Sequence, residues 1–159
     1  YAEKIKMMRV HGQNKRYHHK YIGMGGRLDT IQAAILLAKL PHYAQELLDR
    51  QKVAQRYTDA LFDSFQTPVI KPNRMSAWAQ YTIKVNDREA LQAKLKDNGI
   101  STAVHYPIPI HLQECFQYLS YKKGDFPISE LASKEVMSLP MNSFLSCKEM
   151  QYVFKMLNV

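Results

Sequence analysis

A glycine-rich loop that runs straight into a long helix-forming stretch constrains this chain most. In Ile22-Gly23-Met24-Gly25-Gly26-Arg27, three glycines fall within four positions and a cation follows at once. Such a loop lets the backbone approach a ligand or another chain closely. From Leu28 onward the pattern is helical. Leu28, Ile31, Ala34 and Ile35 are spaced for one buried face, and Asp29 is expected to put a carboxylate in the first turn. The stripe continues through Leu47, Leu48, Val53, Ala54, Tyr57 and Leu61, so one helical region is expected over residues 28–66, kinked or jointed at Pro41. So long a helix needs a surface to pack on, and part of it is expected to come from sequence outside this chain. Arg27 beside a helix N-terminus suits an anionic ligand. A plain connection with a solvated arginine is the other reading, because short glycine clusters are weak motifs.

The charge sharpens the first reading without deciding it. Net charge is +8, and residues 1–20 carry Lys4, Lys6, Arg9, Lys15, Arg16 and Lys20 against one acid, Glu3, together with His11, His18 and His19. Nucleic acid, an anionic surface or a phosphorylated small molecule would each match such a patch, as would simple solvation. No nucleic-acid-reading motif accompanies Tyr17 and Tyr21, so with the Gly-Gly-Arg loop beside it a diphosphate ligand is the better use of the charge. Adjacent His18 and His19 lack the further ligands a metal site needs, and no metal is expected. At 159 residues, 46% hydrophobic and 23% charged, the chain reads as a soluble globular piece with a real core. No apolar run approaches the roughly 20 residues of a membrane span, and residues 1–6 lack a signal peptide's apolar stretch. The chain starts at Tyr1 rather than Met, which fits a fragment. Cys115 and Cys147 have neither metal-ligand nor disulfide-scaffold spacing, which suits reduced thiols in the cytoplasm.

Along the chain, residues 1–8 read as a helix with Ile5 and Met8 on one face, and 9–26 as a basic connection. Ala79–Val85 alternates as a strand after Trp78. Asn86 or Asp87 is expected to cap a helix over Arg88–Lys96 that ends at Asn98-Gly99. Ile100–Tyr106 reads as a second strand closed by Pro107 and Pro109, followed by a short helix over His111–Leu119. Ser129 is expected to cap a helix reaching about Met137, with Leu139-Pro140-Met141 extended, and Ser146 a last helix over Lys148–Leu157. The sum is an α/β arrangement, a long helix plus a small sheet with helices. On their own chemistry, His105 and Tyr106, at a strand end before a stiff Pro-x-Pro turn, suit hydrogen bonds to sugar hydroxyls or an anion. A packed tyrosine and a structural histidine are the alternative. His111 is expected to cap the following helix. Glu114 and Asp125 form no acid–base pair, no Ser/His/Asp triad can be assembled, and Met24 and the methionines of the tail read as packing.

The run Gly26-Arg27-Leu28-Asp29-Thr30-Ile31-Gln32-Ala33-Ala34 resembles a signature of the DegT/DnrJ/EryC1/StrS family of sugar aminotransferases that use pyridoxal phosphate (PLP). Arg9-Val10-His11-Gly12, Lys39-Leu40, Ala79-Gln80-Tyr81-Thr82-Ile83, Ala103-Val104-His105-Tyr106-Pro107 and Ser138-Leu139-Pro140-Met141 follow in the family's order. The resemblance implies the C-terminal small domain of a fold-type I PLP-dependent transferase. Residues 1–27 would be the junction from a missing PLP-binding domain, 28–66 the helical region and 67–159 the αβ (α+β) small domain. By the same resemblance the Schiff-base lysine lies upstream of Tyr1, so this chain would be inactive alone.

For the parent, the resemblance implies transfer of an amino group from glutamate to a nucleotide-linked keto-sugar, in a homodimer whose active site is shared across the interface. Arg-Tyr-His-His (residues 16–19) and Ala-Val-His-Tyr-Pro (103–107) look most like the branch using UDP-linked 3-keto-N-acetyl uronic acids for surface polysaccharide. Arg27, His105, Tyr106, Arg9 and His11 would contact that substrate. Many relatives carry Asn where Gly25 stands, so only the Gly25 backbone N–H would be left to meet the PLP phosphate. A PLP-dependent sugar dehydratase of the same superfamily, and a basic nucleic-acid- or anion-binding module, are the competing readings. The first reading carries no nucleic-acid or membrane partner.

Overall fold

The computed structural model describes residues 1–159, which divide into two compact units, residues 1–44 and 45–159. In the first unit, α1 (Ala2–Met8) leads into a two-stranded antiparallel hairpin of β1 (Gln13–Lys15) and β2 (His18–His19). The basic connection expected over residues 9–26 thus contains a hairpin. Both of its strands are polar, so no hydrophobic alternation marks them. Backbone closeness holds this unit together. Gly12 has φ +76°, and a Cβ there would fall 1.7 Å from the carbonyl oxygen of Tyr21. A Cβ on Gly23 would fall 2.3 Å from the Gly12 nitrogen. Only residues without side chains permit that packing.

The long helix α2 (Thr30–Leu61) is continuous through Pro41. It begins after Asp29, so the expected carboxylate in its first turn is absent. The expected burial of its first turns is also not found: Leu28, Ile31 and Ile35 are exposed, Ile31 at 76%. Periodicity reports that a face is apolar, and the covering surface is not in this chain. The second half behaves as its spacing predicts, with Val53, Ala54, Tyr57 and Leu61 buried.

In the second unit, β3 (Tyr81–Lys84) pairs antiparallel with β4 (Val136–Leu139), aligning Tyr81 with Leu139, Thr82 with Ser138 and Ile83 with Met137. Tyr81, Ile83 and Val85 alternate into a core shared with the end of α2, Leu95 of α3 (Arg88–Asp97) and Met150, Val153 and Leu157 of α5 (Cys147–Leu157). Asp87 caps α3 by accepting from the Ala90 N–H, and Ser146 with Glu149 forms a reciprocal capping box on α5. Trp78 is held to α2 by its indole N–H, which donates to Gln51 at 2.8 Å.

Three expected elements differ. Residues 100–106 make a single bridge, Ala103 to Ser138, instead of a strand, because only Ala103 exchanges backbone bonds with β4. The helix expected over 111–119 is two 3₁₀ turns, Ile110–Leu112 and Glu114–Leu119, separated by Gln113 in an extended conformation. Helix α4 (Pro127–Glu135) starts at Pro127, so Ser129 lies inside it, and it stops before Met137, which pairs in β4 opposite Ile83.

Tyr57 ties these pieces together. Its ring stacks on Tyr81 at 4.9 Å and meets the Phe154 ring edge-on at 5.8 Å, while its hydroxyl donates to the Pro140 carbonyl at 2.9 Å. Burial pushes the Tyr57 phenol well above its ordinary value, so it remains a donor. Tyr57→Phe should cost about 1 kcal/mol for the lost hydrogen bond, and Tyr57→Ala about 3–5 kcal/mol for the cavity. Urea denaturation of both variants reads the difference, and equal costs would mean that the hydroxyl bond, not the ring, carries the packing.

Candidate functional site

Two sets of side chains gather the residues singled out in the sequence, one in each unit. In the first unit, Arg9–His11 runs antiparallel to Met24–Gly26. The His11 N–H donates to Met24 at 3.1 Å, and the Gly26 N–H donates to Arg9 at 2.8 Å. Those bonds flank the Val10–Gly25 pair, so the Gly25 N–H points out of the ladder. The ring of His11 lies beside Gly25, 3.3 Å from where a Cβ would stand. His11 has φ +62°, and its carbonyl accepts from Nδ1–H of His19 at 2.8 Å, which links the hairpin to this edge. Arg9, His11, Gly25 and Arg27 are all exposed. Neither Arg9 nor Arg27 belongs to any of the chain's ion pairs.

This edge therefore offers an outward backbone N–H, two guanidiniums without carboxylate partners and an imidazole. The set suits an anion. It also fits the phosphate end of the PLP that the resemblance implies, and Gly25 leaves the N–H unobstructed by a side chain. Around it three further cations lie over aromatic faces, Lys4 and Lys20 at 5.2 and 5.7 Å from the Tyr21 ring centre and Arg16 at 5.1 Å from that of Tyr17, while Lys6 pairs with Glu3 at 2.9 Å.

In the second unit, His105 and Tyr106 line a cavity of about 490 Å³ whose wall is largely apolar and includes the rings of Phe116, Tyr121 and Phe126. Tyr106 is 71% exposed, which leaves the packed-tyrosine reading without support. His105 is half-buried, and its Nδ1 lies 3.0 Å from the hydroxyl of buried Ser138, which lies 2.7 Å from the hydroxyl of Thr82. His111 does not cap the next turn. Its Nε2 meets Glu130 Oε1 at 3.1 Å, and the Gly124 N–H donates to the same oxygen at 2.7 Å. The His111 ring packs on Phe126 at 4.8 Å. The Gly124 N–H, then the His111 bond, holds the Glu130 carboxyl below its ordinary value. Sequence reasoning missed Glu130, Thr82 and Ser138 as partners of the histidines. Ser138 was visible only as part of a motif, and Glu130 stands 19 residues from His111 with no local pattern to mark it.

The sequence model of the DegT/DnrJ/EryC1/StrS aminotransferase family matches residues 1–158. The chain is 44% identical over 156 residues to a pleiotropic regulatory protein of Geobacillus stearothermophilus, covering 96% of this chain and 42% of that protein. It is 42% identical over 153 residues to the UDP-2-acetamido-2-deoxy-3-oxo-D-glucuronate aminotransferase of Pseudomonas aeruginosa, with the same two coverages of 96% and 42%. A crystal structure of a DegT/DnrJ/EryC1/StrS aminotransferase from Brucella abortus superposes with a TM-score of 0.88 at 35% identity, over 99% of this chain and 42% of that one. The chain thus spans about 42% of the length of these relatives.

The Glu130 cluster carries a pH signature. A carboxyl held below its ordinary value of 4.5 favours the folded state at pH above that value, and the contribution is lost as pH falls through the lowered value. Glu130→Gln should therefore be less stable than the parent sequence at neutral pH, with the gap closing below about pH 4.5. Urea midpoints from pH 7 down to pH 3 read it, and a gap independent of pH would assign the loss to packing instead of charge.

Proposed function

This chain belongs to the DegT/DnrJ/EryC1/StrS aminotransferase family, and from that premise we propose that it is the C-terminal part of a PLP-dependent enzyme. The whole enzyme transfers an amino group from glutamate to a nucleotide-linked keto-sugar. The substrate we assign is a UDP-linked 3-keto-N-acetyl uronic acid for surface polysaccharide, a reading supported by the likeness to the P. aeruginosa enzyme. The observation that carries the proposal is the uncompensated cationic edge formed by Arg9, His11, Gly25 and Arg27. We assign residues 1–27 to a junction with the PLP-binding domain, 28–66 to the helical region and 67–159 to the small domain.

When bound, PLP would carry the amino group between the two substrates. Covalent chemistry, with its Schiff-base lysine, is assigned to the part of the relatives' length that this chain does not span. This chain's own residues bind and orient. The Gly25 N–H meets the cofactor phosphate, and Arg27, with its bidentate fork, meets the diphosphate or the sugar carboxylate. Arg9 and His11 extend the same positive edge. His105 and Tyr106 hydrogen-bond the sugar from the cavity of the second unit. Placement at the neighbour's active site in a cytoplasmic homodimer fits the exposed apolar side chains of the first half of α2, Ile31 and Ile35 on one side and Leu40 on the opposite side, which surfaces outside this chain would cover.

A second reading, a regulatory anion-binding module, is favoured by the exposed basic hairpin and by the likeness to the pleiotropic regulatory protein. It requires steeply salt-dependent affinity for random DNA that UDP-sugars do not displace. For the enzyme reading, Arg27→Ala in the full-length protein should raise KM for the nucleotide-sugar by about ten- to a hundredfold, the worth of a charge-assisted hydrogen bond. The half-reaction with glutamate, followed by cofactor absorbance, should be unchanged. Equal losses in both would place Arg27 at the cofactor or in the fold.

A further inference from the structure

His105 has two ring nitrogens with different fates. Nδ1 faces the Ser138 hydroxyl at 3.0 Å, and Ser138 faces the Thr82 hydroxyl at 2.7 Å. Nε2 has no hydrogen-bond partner within the chain, while the residue lines the largely apolar cavity. Ser138 is only 4% exposed, and its backbone is committed on both sides to Ala103, accepting at 3.1 Å and donating at 2.7 Å. The serine is thus held by main-chain bonds two residues from the histidine it touches. Thr82 stands directly opposite it in the β3–β4 register.

The protons of this row can run through Ser138 in either of two directions; a third arrangement, in which Ser138 accepts from both neighbours, leaves the hydroxyl proton of buried Ser138 without an acceptor. If His105 carries its proton on Nδ1, it donates to Ser138, Ser138 donates to Thr82, and the Thr82 hydroxyl proton has no acceptor in the chain. If Thr82 donates to Ser138 and Ser138 donates to Nδ1, every hydroxyl proton in the row is used. The proton of the neutral imidazole then resides on Nε2, toward the cavity. A half-buried hydroxyl proton without an acceptor costs free energy, and successive bonds in one direction polarise one another. The second arrangement is the favoured one.

We propose that the Thr82–Ser138 hydroxyl pair positions His105 and sets it as the Nε2–H tautomer, so that it presents a hydrogen-bond donor to an acceptor oxygen of the ligand in the cavity. Thr82 and Ser138 are positioning residues, since they act through His105. Together with the nucleotide-sugar reading, on which this second step rests, the ligand oxygen is the sugar carboxylate. A carboxylate accepts from Nε2–H and has no proton to offer, so the opposite tautomer would set two acceptors against each other.

Long-range ¹H–¹⁵N correlation of the histidine rings in the ¹⁵N-labelled 159-residue chain reads the tautomer directly, at about pH 8.5, where an ordinary imidazole is neutral. The expected result is a pyridine-type Nδ1 and a pyrrole-type Nε2 for His105. In Ser138→Ala the Nδ1 resonance should shift and the ring should interconvert between tautomers, while the His111 ring, paired elsewhere with Glu130, stays unchanged. Thr82→Val, close to isosteric, should shift the same Nδ1 signal less and serves if the serine variant does not fold. A pyrrole-type Nδ1 in the parent sequence, or Nδ1 signals indifferent to both changes, would overturn the assignment. These readings need no substrate, so they stand apart from the enzyme proposal. In the full-length protein, Thr82→Val should raise KM for the nucleotide-sugar about three- to tenfold and leave the glutamate half-reaction alone. An unchanged KM alongside a shifted Nδ1 would overturn the ligand step and leave the tautomer in place.

Discussion

Pairing of β3 with β4 over four residues sets almost everything the second unit does. Because side chains alternate across a strand, that register sends Tyr81, Ile83, Met137 and Leu139 into the core and sets Thr82 and Ser138 side by side on the other face. A slip of one residue would put the hydroxyls into the core and the aromatic and aliphatic groups outside, so the hydrophobic burial itself enforces the alignment of the polar row. His105 then depends on that row twice, through Ala103 bonded to the backbone of Ser138 and through its own ring bonded to the Ser138 hydroxyl. A packing decision is converted into the orientation of a ligand-facing imidazole.

The first unit reaches its geometry by other means. No apolar core holds it, and its packing rests on backbone running against backbone where Gly12 and Gly23 have no side chain to interfere. At Gly25 the outward N–H carries no side chain beside it, and a Cβ there would stand 3.3 Å from the His11 ring. A unit built this way has few side-chain contacts to restrain Arg9 and Arg27. Both are exposed and without an ion-pair partner in the chain.

How much of this was legible depended on distance along the chain. The caps at Asp87 and Ser146, the alternation of Tyr81, Ile83 and Val85, and the stripe ending at Leu61 are local patterns, and they were readable because a few adjacent residues carry the whole signal. The Arg9–His11 and Gly25–Arg27 motifs were visible as words, but their antiparallel pairing was not, since no hydrophobic alternation announces it. The hairpin of Gln13–His19 escaped for the same reason. Residues 100–106 misled because Ile100 and Val104 look strand-like, whereas a strand needs a partner along its length and only Ala103 finds one. His111 with Glu130 and His105 with Ser138 are tertiary pairs, and periodicity contains no information about them.

Exposure of the first half of α2 is the point at which the fold and the proposed function meet. Ile31, Ile35, Leu36, Leu37 and Leu40 are each more than half exposed on a helix that the chain nonetheless forms without interruption. Each fully covered side chain of this kind is worth about 1.5–3 kcal/mol, so leaving five of them in water is costly unless something outside the chain lies on them. The unpaired guanidiniums of the same unit make the matching electrostatic statement: Arg9 and Arg27 carry positive charge that no ion pair in the chain neutralises. Exposed apolar side chains spread around a helix, and an anion-seeking edge, within 44 residues are what a segment needs if it docks between surfaces outside the chain and presents charge there. That is the role proposed for it at a shared active site. Were the unit instead a free-standing anion binder, the charge would be explained and the exposed apolar side chains would not.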